Sequence, residues 1–112
     1  VPTDGEYTTL TDGLGGTSVA GGKMKSSASD SPAWNGTNTS GFSGLAGGGR
    51  VSSGVFVNGD DDSTPDGYFW SASASASTYG ASAWYRKLNG STTVYRQSGF
   101  LQNGNSVRCI QD

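Results

Sequence analysis

The sequence predicts an α+β fold in which one N-terminal helix packs on a twisted antiparallel sheet with long Gly/Ser-rich loops. Three observations predict it: a capped helical pattern near the start, a hairpin signal near the end, and a composition with 19 glycines and 18 serines. At 112 residues the chain has the length of one domain. Three Trp, five Tyr and four Phe supply apolar surface for a core. We therefore expect residues 1–112 to form a single folded domain.

The helix is predicted over residues 4–14. Thr3 and Glu6 occupy the N-cap and N3 positions of a capping box, in which each side chain bonds the backbone amide of the other residue. Tyr7 and Leu10 then begin an apolar pattern with spacings of three and four, which is typical of one helical face. A pair of glycines ends the pattern.

The segment after the helix has little periodicity. We expect a short extended piece at residues 20–25 with Met24 turned inward, followed by a polar loop that carries Trp34. We interpret Trp34 as a packing anchor, with a ligand platform as the alternative. The glycines at 47–49 predict a close backbone approach or a bulge, because the Lys-Ser/Thr pair of a phosphate-binding loop is missing.

Two strands are predicted in the middle of the chain. Valines and a phenylalanine at residues 51–57 indicate the first, which an Asn-Gly pair ends. Aromatic residues at 68–70 begin the second, and alternating Ser and Ala at 71–77 continue the strand period. A low-complexity loop at 71–77 is the alternative.

A hairpin and a closing strand are predicted at the end of the chain. Residues 83–88 and 92–96 alternate around an Asn-Gly pair, which is a strong hairpin signal. A loop at 100–105 follows, and the apolar residues 107–110 are expected to close the sheet. In that strand Cys109 is expected to be a buried small hydrophobe.

A carboxylate-rich segment joins the first two predicted strands. Asp60, Asp62 and Asp66 are weak candidates for calcium ligands, because Ca²⁺ takes six to eight oxygen ligands. The spacing does not match an EF-hand loop, so an exposed, hydrated turn is the preferred interpretation. We expect no cofactor, with Ca²⁺ as the alternative.

Composition argues against several function classes. The net charge of −2 and the pI of about 4.8 argue against nucleic-acid binding. No apolar run has transmembrane length, so we expect no membrane insertion. One Cys excludes an internal disulfide. No His is present, and no cluster divides the roles of nucleophile, base and acid, which predicts a protein that is not an enzyme.

Cationic residues are concentrated late in the chain, at Arg86, Lys87, Arg96 and Arg108. Solvated charge on loops and strand edges is the simpler interpretation. The alternative is a mildly cationic face that meets an acidic sugar or a carboxylate.

Candidate ligand-binding residues also lie in the last third of the chain, where aromatic rings alternate with amides. Rings of this kind stack on sugar faces or fill protein pockets, and amides fix the ligand's orientation. Cross-strand packing is the alternative for Tyr85 and Tyr95, and loop solvation is the alternative for Gln102 and Asn103. The candidate set comprises Tyr79, Tyr85, Tyr95, Gln97, Phe100, Gln102 and Asn103.

Ordered blocks along the whole chain resemble the Fibrobacter succinogenes major paralogous domain, whose members occur in surface and secreted proteins of Fibrobacter and the Bacteroidetes. The blocks are PTDGEYTTL at 2–10, AGGKMKS at 20–26, SGFSGL at 40–45, GGR at 48–50, GYFWSAS at 67–73, AWYR at 83–86 and SVRCI at 106–110. Several such blocks in order are specific, whereas any one alone is weak.

The resemblance implies a C-type-lectin-like fold, related to the formylglycine-generating-enzyme and diversified-receptor branch, and an extracellular or cell-surface setting. It implies no catalytic residues. Family members normally carry Gly-Trp-Arg just before the first block, whereas Val1 directly precedes it here. We therefore expect the chain to be the visible part of a longer secreted or surface protein, with an N-terminal strand missing from view.

Three functions are weighed. The preferred one is a non-catalytic adhesion module that recognises a glycan or a surface protein through its C-terminal sheet and loops. The alternative is a structural or tip subunit of an extracellular filament or phage appendage, which self-assembles or attaches to a larger surface protein by strand exchange. An enzyme is the least favoured, because no pair of titratable groups is held at a defined separation.

Overall fold

The computed structural model describes residues 1–59, 63–78 and 80–111 as a small α+β domain of two short helices and antiparallel sheets. Two helices come first in these residues and five strands follow. The elements are α1 (Asp4–Gly13), α2 (Thr17–Met24), β1 (Gly49–Arg50), β2 (Phe56–Val57), β3 (Gly67–Ser75), β4 (Ser82–Leu88) and β5 (Val94–Phe100).

The first helix confirms the prediction for residues 4–14. The Glu6 backbone N–H donates to Thr3 Oγ1 at 3.2 Å, and the Thr3 N–H donates to Glu6 Oε2 at 2.7 Å. These two bonds satisfy donors that a helix N-terminus otherwise leaves open. Tyr7 is buried and faces the sheet side of the helix.

The second helix corrects the prediction of an extended piece at 20–25. Met24 is fully buried, as expected, but it ends a helix. The cause is tertiary: a Cβ on Gly21 would lie 2.7 Å from the carbonyl oxygens of Thr92 and Thr93. Glycine lets the helix backbone approach the start of β5, and this packing outweighs the low helix propensity of two adjacent glycines.

The main sheet has the strand order β3–β4–β5, all antiparallel. It confirms the hairpin, and it confirms that the Ser/Ala alternation belongs to a strand as far as Ser75. A register irregularity interrupts β3 between Trp70 and Ala74. The last strand reaches Phe100, beyond the predicted end at 96.

The predicted strand at 51–57 is instead the tip of a hairpin between two short strands. The Val51 N–H donates to the Val55 carbonyl at 2.9 Å, and Gly54 takes a φ of +92° in the turn between them. Val51 and Val55 are exposed because the tip projects from the body. The close approach predicted for the glycines is confirmed, since a Cβ on Gly48 would collide with the Val57 carbonyl.

The C-terminal segment corrects the prediction of a closing strand at 107–110. Within the described residues 106–111, only Ser106 forms a β-bridge to β3. Its N–H donates to the Tyr68 carbonyl at 2.8 Å, and its carbonyl accepts from the Trp70 N–H at 2.9 Å. Farther along that edge, the Ala72 N–H already donates to the Pro2 carbonyl. With the edge occupied, the tail leaves the sheet and Cys109 is exposed rather than buried.

The core lies between the helices and one face of the main sheet. Its buried cluster consists of Tyr7, Ala20, Met24, Phe69, Leu88 and Val94. Phe42 packs edge-on against Phe69 with ring centroids 5.3 Å apart, and Trp34 packs at the margin, as its interpretation as an anchor requires. The other face of the sheet therefore points away from both helices. Among the described residues, helices are too short or too polar to cross a bilayer.

Candidate ligand-binding surface

Strand alternation gathers aromatic side chains on the sheet face that points away from the helices. Phe69 and Leu88 face the core, so their neighbours in β3 and β4 face the other way. The register places Trp70 beside Tyr85, Tyr85 beside Gln97, Tyr68 beside Lys87, and Lys87 beside Tyr95. We call this set the aromatic face: Tyr68, Trp70, Tyr85, Lys87, Tyr95 and Gln97.

The rings of the aromatic face brace one another. Tyr85 lies edge-on to both Tyr68 and Trp70, with ring centroids 5.9 Å and 5.8 Å away. Its hydroxyl donates to Gln97 Oε1 at 2.9 Å. Edge-to-face pairs of this kind are stabilising beyond the area they bury. The three rings are half-buried and thus fixed in place, with part of each surface still open to solvent.

A glycine in β5 makes room for two of these rings. A Cβ on Gly99 would lie 3.0 Å from Tyr85 Cε1 and 3.5 Å from Trp70 Cη2. The Tyr85 ring therefore lies directly over the Gly99 backbone, closer than a neighbouring side chain would permit.

A polar network fixes the Tyr68 end of the face. The Tyr68 hydroxyl donates to Asp66 Oδ2 at 3.0 Å and accepts from Asn58 Nδ2 at 2.7 Å. Lys87 Nζ lies 3.1 Å from the same Asp66 oxygen. Burial raises the pKa of Tyr68. Burial opposes the charged form of Lys87, yet the adjacent Asp66 carboxylate raises the Lys87 pKa.

Asp66 also corrects a prediction. It was expected on an exposed, hydrated turn, but it is only 6% exposed because Tyr68 and Lys87 cover it. The other two weak calcium candidates, Asp60 and Asp62, lie outside the described residues. Across residues 1–59, 63–78 and 80–111, His, Cys, Asp and Glu form no group of three that would suit a metal ion.

A groove of about 160 Å³ adjoins the face where β1 approaches the loop after β5. Arg50 and Gly104 hold its walls together, since each backbone N–H donates to the other's carbonyl at 2.7 Å. The groove is lined by the side chains of Tyr68 and Tyr85 and by the amides of Asn103 and Asn105. We call it the amide groove.

The structure brings four of the predicted site residues together. Tyr85, Tyr95 and Gln97 lie on the aromatic face, and Asn103 lines the amide groove beside it. Tyr85 also has the packing role that was the alternative, because its ring contacts Tyr68 and Trp70.

Two predicted residues lie elsewhere. Phe100 pairs with Ser82 of β4. Ser82, Arg86 and Leu88 are separated by even numbers of residues, so they point to the same face, and Leu88 faces the core. The Phe100 side chain is therefore on the helix side of the sheet. Gln102 is exposed on the loop and lines neither the aromatic face nor the amide groove. Tyr79 lies outside the described residues.

Tyr68, Trp70 and Lys87 belong to the face but were not among the predicted site residues. The signal for them is in the sequence: Tyr68 and Trp70 flank Phe69 at the strand period. If Phe69 faces the core, both neighbours must face away.

The late cationic residues do not form one face. Arg86 is 2% exposed and pairs with Asp4 on the helix side, together with Arg96. Lys87 points to the aromatic face, and the Arg108 guanidinium lies over the Phe42 ring near the tail. Alternation along β4 separates Arg86 from Lys87, because consecutive residues of a strand point to opposite faces.

Comparison with known proteins gives one result. A model of the Fibrobacter succinogenes major domain matches residues 1–111. No curated protein and no solved structure matches the chain.

Proposed function

The chain belongs to the Fibrobacter succinogenes major domain family, and from this premise we propose a non-catalytic extracellular module that binds glycans through the aromatic face. We propose that the fold is C-type-lectin-like, of the branch that includes the formylglycine-generating enzyme and diversified receptors. Two helices that cover one face of an antiparallel sheet, together with long Gly-rich connections, support this assignment.

One observation carries the proposal: fixed aromatic rings lie beside a groove that two amide side chains line. Rings with part of their surface exposed stack on the apolar faces of sugars. Gln97, Asn103 and Asn105 add amides that bond sugar hydroxyls and orient the ligand. Since Tyr85 is held by Gln97 and by neighbouring rings, little side-chain entropy is lost on binding.

We propose binding without turnover. Most enzymes that hydrolyse glycans use two carboxyl groups that flank the scissile bond. The carboxylate that the structure describes at this surface, Asp66, already accepts from Tyr68 and pairs with Lys87. Such an engaged carboxylate serves to hold Tyr68 in place.

A glycan screen with two matched variants tests this function. We expect the wild-type chain to bind a subset of an array that holds glycans and purified surface proteins. We expect Tyr85→Ala to weaken that binding by roughly tenfold or more, as loss of a central aromatic anchor does. Phe100→Ala is the control, because Phe100 is an exposed aromatic on the opposite sheet face. Equal affinity of the wild type and Tyr85→Ala would overturn the proposal, as would hits confined to proteins.

A structural or tip subunit is the second candidate, and the position of β5 favours it. This strand is at the edge of the main sheet, and Arg96, Gln97 and Ser98 are exposed there. An exposed edge offers backbone groups to a strand from another chain. Light scattering over a range of concentrations distinguishes the two, since a monomer at all concentrations argues against self-assembly.

A further inference from the structure

A second groove lies at the Lys87 end of the aromatic face and is larger than the amide groove. Its volume is about 700 Å³, and its lining includes Trp34, Asn35, Lys87, Asn89 and Gly90. We call it the Trp34 groove. Trp34, for which a ligand platform was the alternative interpretation, and Asp66, a weak calcium candidate, line it, whereas Tyr85, Tyr95, Gln97 and Asn103 do not.

The walls of the Trp34 groove are fixed to each other by a buried lysine. Lys25 is 1% exposed, and its Nζ donates to Asn35 Oδ1 at 2.8 Å and to the Asn89 and Ser91 carbonyls at 2.7 Å each. Asn35 Nδ2 then donates to the Gly90 carbonyl at 2.9 Å. The loop that carries Trp34 is thereby bound to the turn between β4 and β5.

The indole of Trp34 has a covered side and an open side. Lys25 Nζ lies 5.3 Å from the ring centroid, and the ring packs at the edge of the core. The backbone N–H of Trp34 donates to the Ser27 carbonyl at 3.2 Å. The remaining surface of the ring lines the groove, so a fixed aromatic surface is available there.

The two grooves are joined by the aromatic face. Lys87 lines the Trp34 groove, and its Nζ lies 5.8 Å from the ring centroid of Tyr68. Tyr68 in turn lines the amide groove and lies 5.9 Å from Tyr85. Lys87 and Tyr68, which are in contact, therefore connect the Trp34 groove to the amide groove.

We propose that this surface binds a neutral oligosaccharide of several sugar units that extends from the amide groove into the Trp34 groove, with Trp34 as a second stacking platform. This inference rests on the proposed glycan-binding function. A chain ligand fits because Trp34 and the Tyr68–Tyr85 pair are separate aromatic surfaces in two grooves that Lys87 and Tyr68 connect. Lys87 is the cation between the two grooves, and its charge is already paired with that of Asp66. The surface therefore offers no unpaired charge at Lys87 to a charged sugar, which favours a neutral ligand.

The test is the dependence of affinity on chain length, measured by titration calorimetry. The probes are three neutral series, cello-, malto- and xylo-oligosaccharides, each from the disaccharide to the hexasaccharide. We expect one series to bind the wild-type chain with affinity that rises by roughly tenfold or more with length, as a second engaged site contributes.

Gly90→Trp is the decisive variant, because a Cβ at Gly90 meets nothing within 4 Å and the new ring would fill the Trp34 groove without removing a core contact. We expect a larger loss for the hexasaccharide than for the disaccharide. Trp34→Ala should have the same pattern. Gly13→Trp is the matched control, since Gly13 also has open space around its Cβ and lies at the end of α1.

Each remaining outcome has a defined meaning. Equal length dependence in Gly90→Trp and the wild type overturns the two-groove proposal. Array binding by charged glycans or by single sugars, without binding of any neutral series, overturns it while leaving the proposed function in place. If the wild-type chain binds a surface protein and no glycan, both proposals fall.

Discussion

Asp4, the first residue of α1, forms a paired contact with Arg96 on β5: Arg96 Nε donates to Asp4 Oδ1 at 2.9 Å, and Arg96 Nη2 donates to Asp4 Oδ2 at 2.8 Å. Arg86 on β4 donates to the same carboxylate at 2.7 Å. The Arg96 guanidinium also lies 3.5 Å from the centroid of the Trp84 ring. One carboxylate thus connects the helix to two strands.

Replacement of this carboxylate should destabilise the fold. Asp4→Asn would leave the buried Arg86 guanidinium without an ionised partner, and loss of one member of a buried pair costs about 3–5 kcal/mol. Because Asp4 is partly accessible to water, we expect about 2–3 kcal/mol of unfolding free energy to be lost in urea titrations. Asp12→Asn is the control, since Asp12 is exposed at the other end of α1. Equal urea midpoints for the two variants would refute the connecting role of Asp4.

Stability should fall in acid because of the same residue. Hydrogen bonds from Arg96, opposed by burial and aided by Arg86, lower the pKa of Asp4 from 3.8 to about 2. A carboxyl whose pKa is lower in the folded state contributes its stability above the unfolded pKa, and this stability is lost as pH falls through the folded pKa. We expect about 2 kcal/mol to be lost between about pH 4 and pH 2. Urea midpoints measured across this range in the wild type and in Asp4→Asn provide the check. A wild-type slope no steeper than that of the variant would contradict the assignment.

The buried ammonium of Lys25 should be essential for the loop around Trp34. Lys25→Met keeps the length of the side chain but removes the donor for three oxygens. Unsatisfied buried acceptors and the lost charge-assisted bonds should cost about 2–4 kcal/mol. Lys23→Met serves as the comparison, because Lys23 Nζ donates to one carbonyl, that of Leu14, so a loss of about 1 kcal/mol is expected. Equal losses of unfolding free energy in Lys25→Met and Lys23→Met, measured by urea titration, would mean that the additional buried hydrogen bonds of Lys25 do not stabilise the fold.

The glycine under Tyr85 should be necessary for ligand binding. Gly99→Val would force the Tyr85 ring away from β5, since even a Cβ lies 3.0 Å from Cε1. We expect glycan affinity to fall by roughly tenfold as the anchor moves. Valine suits a strand, so any loss of stability should be small. Ser98→Val, at the adjacent exposed position of β5, should retain affinity. Unaltered binding by Gly99→Val would exclude Tyr85 from the site.

The exposed thiol of Cys109 should react without unfolding. A thiol-specific reagent such as DTNB is expected to label the native protein fully, at a rate similar to that in urea, because access does not require opening. Labelling that requires denaturant would mean that the tail is folded onto the body and that the original expectation of burial was right.

Much of the candidate site was readable in the sequence, but not its boundaries. Tyr85, Tyr95 and Gln97 were predicted from their residue types, as aromatic rings near amides, and the register of β4 and β5 places them on one face. Phe100 was predicted to lie on the same surface, in a loop after the strand. In the structure β5 extends to Phe100, and strand alternation places its side chain on the opposite face of the sheet. Where a strand ends depends on the partner strand, so local pattern alone does not decide it.

Sequence alone determined α1 and the pairing of β4 with β5, because the Thr3–Glu6 capping box and the strand alternation on either side of residues 89–93 depend on a few neighbouring residues. Only the tertiary structure decided α2, the burial of Asp66 and the exposed tail. Gly21 packs against residues more than seventy positions away, Asp66 is covered by Lys87, and the Pro2 carbonyl occupies the edge that the tail would need. These features depend on distant segments that meet only when the chain is folded.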